Sequence, residues 1–170
     1  EQKGIDLLLQ AAHDLLNMGW NLLFLGTGDP SLEAGVRSLS SSRPRKVGAL
    51  IGFDDSLAHR LYAAADAVAV PSRFEPCGLT QMIAMRYGAL PVVRATGGLR
   101  DTVSHGRTGF VFEHADQEGL LWAAEQALAA YGTPTWQEMQ RAAMLLGNLS
   151  GVMVVALISS LIYLTVGFAA

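Results

Sequence analysis

Apolar residues along the first 141 positions follow two alternating periods, one helical and one extended. Ile5, Leu8, Leu9, Ala12, Leu15 and Leu16 recur at i, i+3, i+4 and i+7, which predicts a helix with one apolar face, ended by Gly19. Asn21-Leu-Leu-Phe-Leu25 is a short continuous apolar run, the pattern of a strand buried on both faces. It leads into Gly26-Thr27-Gly28-Asp29-Pro30, a turn rich in helix and strand breakers. Ser31 to Ser40 predicts a weaker helix with Leu32, Val36 and Leu39 inward, followed by a Ser-rich basic loop to Lys46. Val47 to Phe53 predicts a strand interrupted at Gly48 and Gly52, after which Asp54 and Asp55 favour a helix start and Leu57 to Ala65 supply the helix.

The same rhythm continues. Ala67 to Val70 predicts a strand, Leu79 to Tyr87 a helix closed by Gly88, and Leu90 to Val93 a further strand followed by a loop at Thr96-Gly97-Gly98-Leu99. Gly109 to Glu113 predicts a last short strand and Gln117 to Tyr131 a helix with Leu120, Leu121, Ala124, Ala127 and Leu128 on one side. Strands alternating with helices predict an α/β fold, a parallel sheet with helices on both faces. Ligands of such sheets bind beyond the carboxyl ends of the strands. The loops expected there are Gly26–Asp29, Phe53–Asp55, Pro71–Gly78 and Ala95–Leu99.

Composition narrows the picture. A chain of 170 residues is long enough for one domain with a substantial core. A formal net charge of −3 argues against nucleic-acid binding through a general basic field. It leaves room for a small anion, because Lys3, Arg73, Arg86, Arg94, Arg100 and Arg107 fall near the candidate loops. Cys77 is the only cysteine, so no internal disulfide is available, which fits a reducing, cytoplasmic compartment. His13, His59, His105 and His114 lack metal-ligand spacing, and no metal is expected. No signal peptide is visible at the start, which lacks an initiator methionine and reads as a beginning in mid-protein. All charged residues lie at or before Arg141, and the mean hydropathy of +0.29 owes much to the uncharged remainder.

Candidate chemistry concentrates in Pro71-Ser-Arg-Phe-Glu-Pro-Cys-Gly-Leu-Thr-Gln81, between a predicted strand and a predicted helix. N–H groups of a first helical turn point at a bound anion, Thr80 adds a hydroxyl, and Glu75 sits at the mouth of the turn. The plainer alternative is that Glu75 and Thr80 cap the helix and Arg73 balances charge. Gly97-Gly98 fits either close approach to a ligand or an ordinary tight turn. Lys3 stands at a helix start, an unfavourable place for a cation unless an anion is shared there. Phe53 is placed either to stack on a base or to pack, and Cys77 is most simply a small residue at a tight turn. The Gly26-Thr27-Gly28 loop begins like a dinucleotide fingerprint but has Ser31 where the third glycine belongs, and no P-loop motif is present.

Four stretches together resemble the bacterial glycogen (starch) synthases of ADP-glucose type: Gln2-Lys3-Gly4-Ile5-Asp6, Gly26-Thr-Gly-Asp29, the Pro71–Gln81 string, and Thr96-Gly-Gly-Leu-Arg-Asp-Thr-Val103. The resemblance runs to about Met144 and covers the C-terminal, Rossmann-like half of that GT-B glycosyltransferase. It implies retaining transfer of glucose from ADP-glucose to the non-reducing end of an α-1,4-glucan, without a metal or other cofactor. It further implies that Lys3 meets the diphosphate and stabilises departing ADP, and that Glu75 lies beside the transferred glucose. Cys77 and Gly78 would hold sugar hydroxyls through their backbone, Thr80 would bind phosphate, and Phe53 would stand near adenine. Gly28 and Leu79 complete the expected donor set.

The chain also departs from that family. The N-terminal domain and the first strand of this one are absent, so the piece is expected to be inactive alone. Ile83 stands where related transferases carry a second glutamate, and the segment between Val103 and Gly109 is short. The expected division is a nucleotide-sugar domain over 1–141 and an apolar helix over 142–170. The uncharged run over 145–170 is long enough to span a bilayer; the alternative is a mis-joined terminus from a frame change or chimera. A membrane-anchored, non-catalytic nucleotide-binding module and a transferase for another sugar nucleotide are the competing functional readings.

Overall fold

The computed structural model describes residues 2–149 and 163–168. Helix α1 (Ile5–Met18) leads to β1 (Trp20–Gly26), α2 (Pro30–Ser42), β2 (Val47–Ile51), α3 (Asp55–Ala64) and β3 (Ala67–Val70). Then come α4 (Thr80–Tyr87), β4 (Leu90–Arg94), α5 (Gly97–Thr102), β5 (Phe110–Phe112), α6 (Gln117–Ala130), α7 (Pro134–Leu149) and β6 (Tyr163–Phe168).

The strands form one six-stranded sheet in the order β2-β1-β6-β3-β4-β5. β1 pairs parallel with β2, β3 with β4, and β4 with β5. The expected parallel sheet is therefore present, with one exception: β6 lies antiparallel between β1 and β3. Strand order reverses on either side of that position. β1 and β2 step one way, while β3, β4 and β5 step the other, so the crossover helices fall on opposite faces. Helices α1, α2 and α6 pack together over one face, and α3, α4 and α7 over the other. The core between them includes Leu7, Leu8, Leu22, Leu25, Val68, Met85, Leu90, Leu99 and Leu120, all fully buried. Gln117 Nε2 donates to Asp14 Oδ2 at 2.7 Å and ties α6 to α1.

Two sequence expectations need correction. Thr96–Leu99, read as a loop, instead opens the short helix α5, because the Thr96 carbonyl accepts the Leu99 N–H at 3.0 Å and starts a helical turn. The expected apolar helix over 142–170 holds only as far as Leu149, as the end of α7; residues 163–168 form a strand. A continuous apolar run satisfies a buried strand as readily as a buried helix. Here the open backbone edges of β1 and β3 supply ladder partners, with Leu23 opposite Thr165 and Ala67 opposite Val166. Residues 150–162 and 169–170 of the expected membrane segment lie outside the described residues. No described helix is long and apolar enough to cross a membrane.

Helix starts differ in a way that matters for the site. Asp29, Asp54 and Asp116 cap α2, α3 and α6 by accepting N–H groups of their first turns. Neither α1 nor α4 has a side-chain cap. The first-turn N–H groups of α4 keep their donor capacity, whereas in α1 those of Asp6 and Leu7 turn to the Asp6 carboxyl and only the groups ahead of them remain for a ligand.

Candidate active site

Two of the helices without a side-chain cap, α1 and α4, begin beside each other. Lys3 and Ile5 at the start of α1 line the same small cavity as Ser72, Glu75 and Thr80 around the start of α4. The cavity lies just past the carboxyl end of β3, at the reversal of strand order where open α/β sheets bind their ligands. Its free volume is about 10 Å³, room for about one water. What closes it is a contact between Lys3 and Glu75: Nζ donates to Oε2 at 2.6 Å.

Hydrogen bonds from backbone and side chain hold these distant stretches in register. Arg73 N donates to the Gln2 carbonyl at 2.8 Å, and Gln2 Nε2 donates to the Phe74 carbonyl at 3.3 Å. Arg73 then clamps the other side, its Nη1 and Nη2 each 2.7 Å from one oxygen of Asp6. That bidentate pair holds the Asp6 carboxyl below its ordinary range, chiefly through hydrogen bonding from Arg73, against an opposing push from burial. Gly4 has φ +70°, and a Cβ there would overlap the Pro71 carbonyl oxygen. Only glycine lets the start of α1 come this close.

The rear wall of the motif loop is built by α5. Gly98 N donates to the Glu75 carbonyl at 3.1 Å, and a Cβ on Gly98 would overlap the Cys77 carbonyl oxygen. The close approach that Gly97-Gly98 permits is therefore to the loop carrying Glu75. Arg94 Nη1 donates to the Arg73 carbonyl at 2.8 Å, joining the loops after β3 and β4.

The residues singled out from sequence fall into two groups. Lys3, Glu75 and Thr80 share the cavity, with Glu75 only 8% exposed. Cys77, Gly78 and Leu79 connect Glu75 to α4; Cys77 and Leu79 are exposed, and Gly78 turns the chain at φ +68° against the Gln81 side chain. Gly28 and Phe53 are not drawn into that cavity. Gly28 N donates to Glu33 Oε1 at 2.9 Å in the loop after β1. Phe53 follows β2 on the same edge and is 61% exposed, so its ring is open for stacking rather than used in packing. Glu75 and Thr80 do not cap α4, whose N-cap is Leu79 without a side-chain bond. Among the candidate cations, Arg73 is engaged by Asp6, Arg100 by Glu113 at 3.0 Å, and Arg94 by backbone carbonyls. Lys3 is the cation that lines the cavity among the described residues. Among those residues, no group of three or more His, Cys, Asp or Glu is placed to hold a metal ion.

Ser72 escaped the sequence reading. It is fully buried, and its Oγ donates to Glu75 Oε2 at 3.1 Å. The available signal was its position three residues before the carboxylate in a turn, a spacing at which serine side chains bond locally.

The chain is matched over most of its length in known proteins. The sequence profile of the family described as "Glycosyl transferases group 1" matches residues 1–130. The chain belongs to that family. Within it, the chain is 47% identical over 145 residues to a glycogen synthase of Xanthomonas axonopodis pv. citri, covering 85% of this chain and 31% of that protein. It is 44% identical over 150 residues to a glycogen synthase of Haemophilus influenzae, covering 83% and 32% respectively. The catalytic domain of Starch Synthase IV from Arabidopsis thaliana, bound to ADP and acarbose, superposes with a TM-score of 0.77. That similarity has 35% identity and covers 84% of this chain and 32% of the other. The resemblance to glycogen and starch synthases read from the motifs is upheld, as is the α/β fold with its GT-B-like parallel sheet. The chain spans about a third of the length of the curated relatives it matches.

Proposed function

We propose that this chain is the nucleotide-sugar half of a glycogen synthase, which transfers glucose from ADP-glucose to the non-reducing end of an α-1,4-glucan with retention. The observation that carries the reading is the convergence of Lys3, Thr80 and two uncapped helix starts on one cavity beside a nearly buried carboxylate. Lys3 and the first turns of α1 and α4 would hold the diphosphate, whose charge grows as the bond to the sugar breaks. Preorganised cations and N–H groups at that point lower the barrier. Phe53 would stack near adenine, Gly28 and Leu79 would line the donor, and the Cys77 and Gly78 backbone would hold sugar hydroxyls. Glu75 would stabilise positive charge developing on the sugar ring.

In the transfer itself, the bond from glucose C1 to the diphosphate oxygen breaks and a bond from C1 to the acceptor 4-oxygen forms. The acceptor hydroxyl proton leaves to the departing phosphate on the same face, which retains configuration. This reading uses protein cations at the phosphates and invokes no metal. The acceptor side of the cleft is assigned to a further, N-terminal GT-B domain, consistent with the share of its relatives that this chain spans. Calorimetric titration with ADP and with UDP tests the donor class. Binding of ADP in preference to UDP is the expected result; a preference for UDP would assign the site to a different sugar nucleotide.

A further inference from the structure

The Glu75 carboxylate is held in an asymmetric way. Lys3 Nζ and Ser72 Oγ both donate to Oε2, at 2.6 and 3.1 Å, and no described residue donates to Oε1. The two donors are not equivalent. Lys3 is a flexible side chain, 31% exposed, at the mouth of the cavity, whereas Ser72 is 0% exposed on the loop leaving β3. A diphosphate entering beside Lys3 competes with Glu75 for the ammonium group. Once Lys3 turns to the phosphates, the carboxylate loses its charged partner, and a nearly buried carboxylate without a donor is costly and free to rotate. Ser72 is the donor that remains.

We propose that Ser72 is a positioning residue: its hydroxyl keeps Glu75 anchored by Oε2 after Lys3 departs, so that Oε1 is presented to the transferred sugar. This rests on the donor-site reading above. Ser72 lines the cavity, but its hydroxyl is committed to Glu75 Oε2, and its effect passes through Glu75. A role confined to packing would alter stability, or would alter nucleotide and sugar-nucleotide binding together.

The test is calorimetric titration of the intact chain with ADP and with ADP-glucose, for wild type, Ser72→Ala, Glu75→Ala and the double variant. Ser72→Ala is expected to leave ADP affinity unchanged while lowering the preference for ADP-glucose over ADP by about 3- to 10-fold. In the Glu75→Ala background, the same serine change is expected to have no effect on that preference. Ser72→Cys, of similar volume but with a weak donor, is expected to behave like Ser72→Ala and serves if the alanine variant does not fold. An unchanged preference in Ser72→Ala, or an equal change with and without Glu75, overturns the inference alone. Failure of the wild type to bind ADP overturns the donor-site reading and this inference with it.

Discussion

Lys3 Nζ lies 2.6 Å from Glu75 Oε2 across 72 residues of sequence, and this contact occupies the space where the start of α1 meets the start of α4. A cation at a helix N-terminus opposes the helix dipole, so Lys3 is poorly placed for the stability of α1 by itself. Glu75 compensates it while the cavity is empty. An incoming diphosphate would take over that compensation. Glu75→Ala is therefore expected to bind ADP at least as tightly as wild type, because Lys3 no longer has to leave a partner. Calorimetry measures this directly; a large loss of ADP affinity would show that Glu75 holds Lys3 in place rather than competing for it.

The close approach of α5 to the motif loop predicts a sharp difference between glycines. Gly98→Ala drives a methyl group into the Cys77 carbonyl, a backbone atom that cannot yield as a side chain can. A loss of about 3 kcal/mol or more is expected. Gly52→Ala meets nothing within 4 Å and involves no positive φ, so its effect is expected within about 0.5 kcal/mol. Urea unfolding of the two variants beside wild type compares them. Equal stabilities would contradict the packing described for the loop.

Asp6 predicts a pH dependence of defined sign. Its carboxyl is lowered from 3.8, chiefly by the hydrogen bonds from Arg73. A depressed acid adds stability above its unfolded value, and loses it as pH falls through the lower folded value. Asp6→Asn should therefore be less stable than wild type at neutral pH, with the gap narrowing under acid. Thermal unfolding followed from pH 7 downward through the carboxylate range reads this gap. A gap that widens on acidification would contradict the assigned pair.

The central position of β6 makes a prediction about the sheet. Thr165 stands opposite Leu23 of β1 and Val68 of β3, so its backbone is in the middle of the ladder. Proline there removes a ladder donor and is expected to destabilise the fold by about 3 kcal/mol or more. A melting temperature equal to wild type would show that the sheet does not depend on this strand.

Most of the fold was legible because its signals are local. The i, i+3, i+4 spacing of Ile5, Leu8 and Ala12 and the unbroken run Asn21–Leu25 each specify an element without help from elsewhere. The failures were tertiary. Thr96–Leu99 reads as a loop by its glycines, yet α5 forms because Gly98 packs on the Cys77 carbonyl and Leu99 is fully buried. Tyr163–Phe168 reads as part of a long apolar helix, and nothing within it announces the two open strand edges that it pairs with. At the site, family motifs named Lys3 and Glu75, but their contact joins residues that no periodicity relates. Ser72 was missed for a similar reason: a serine in a turn is ordinary until its hydroxyl is seen on the carboxylate.

The central claim is that Lys3 and the uncapped starts of α1 and α4 form a diphosphate site. Titration of ADP into wild type and Lys3→Ala, each checked for an unchanged melting temperature, tests it most directly. Loss of one charge-assisted contact predicts ADP binding weakened by roughly 10- to 100-fold in the variant. Equal ADP affinity in the two proteins would contradict it.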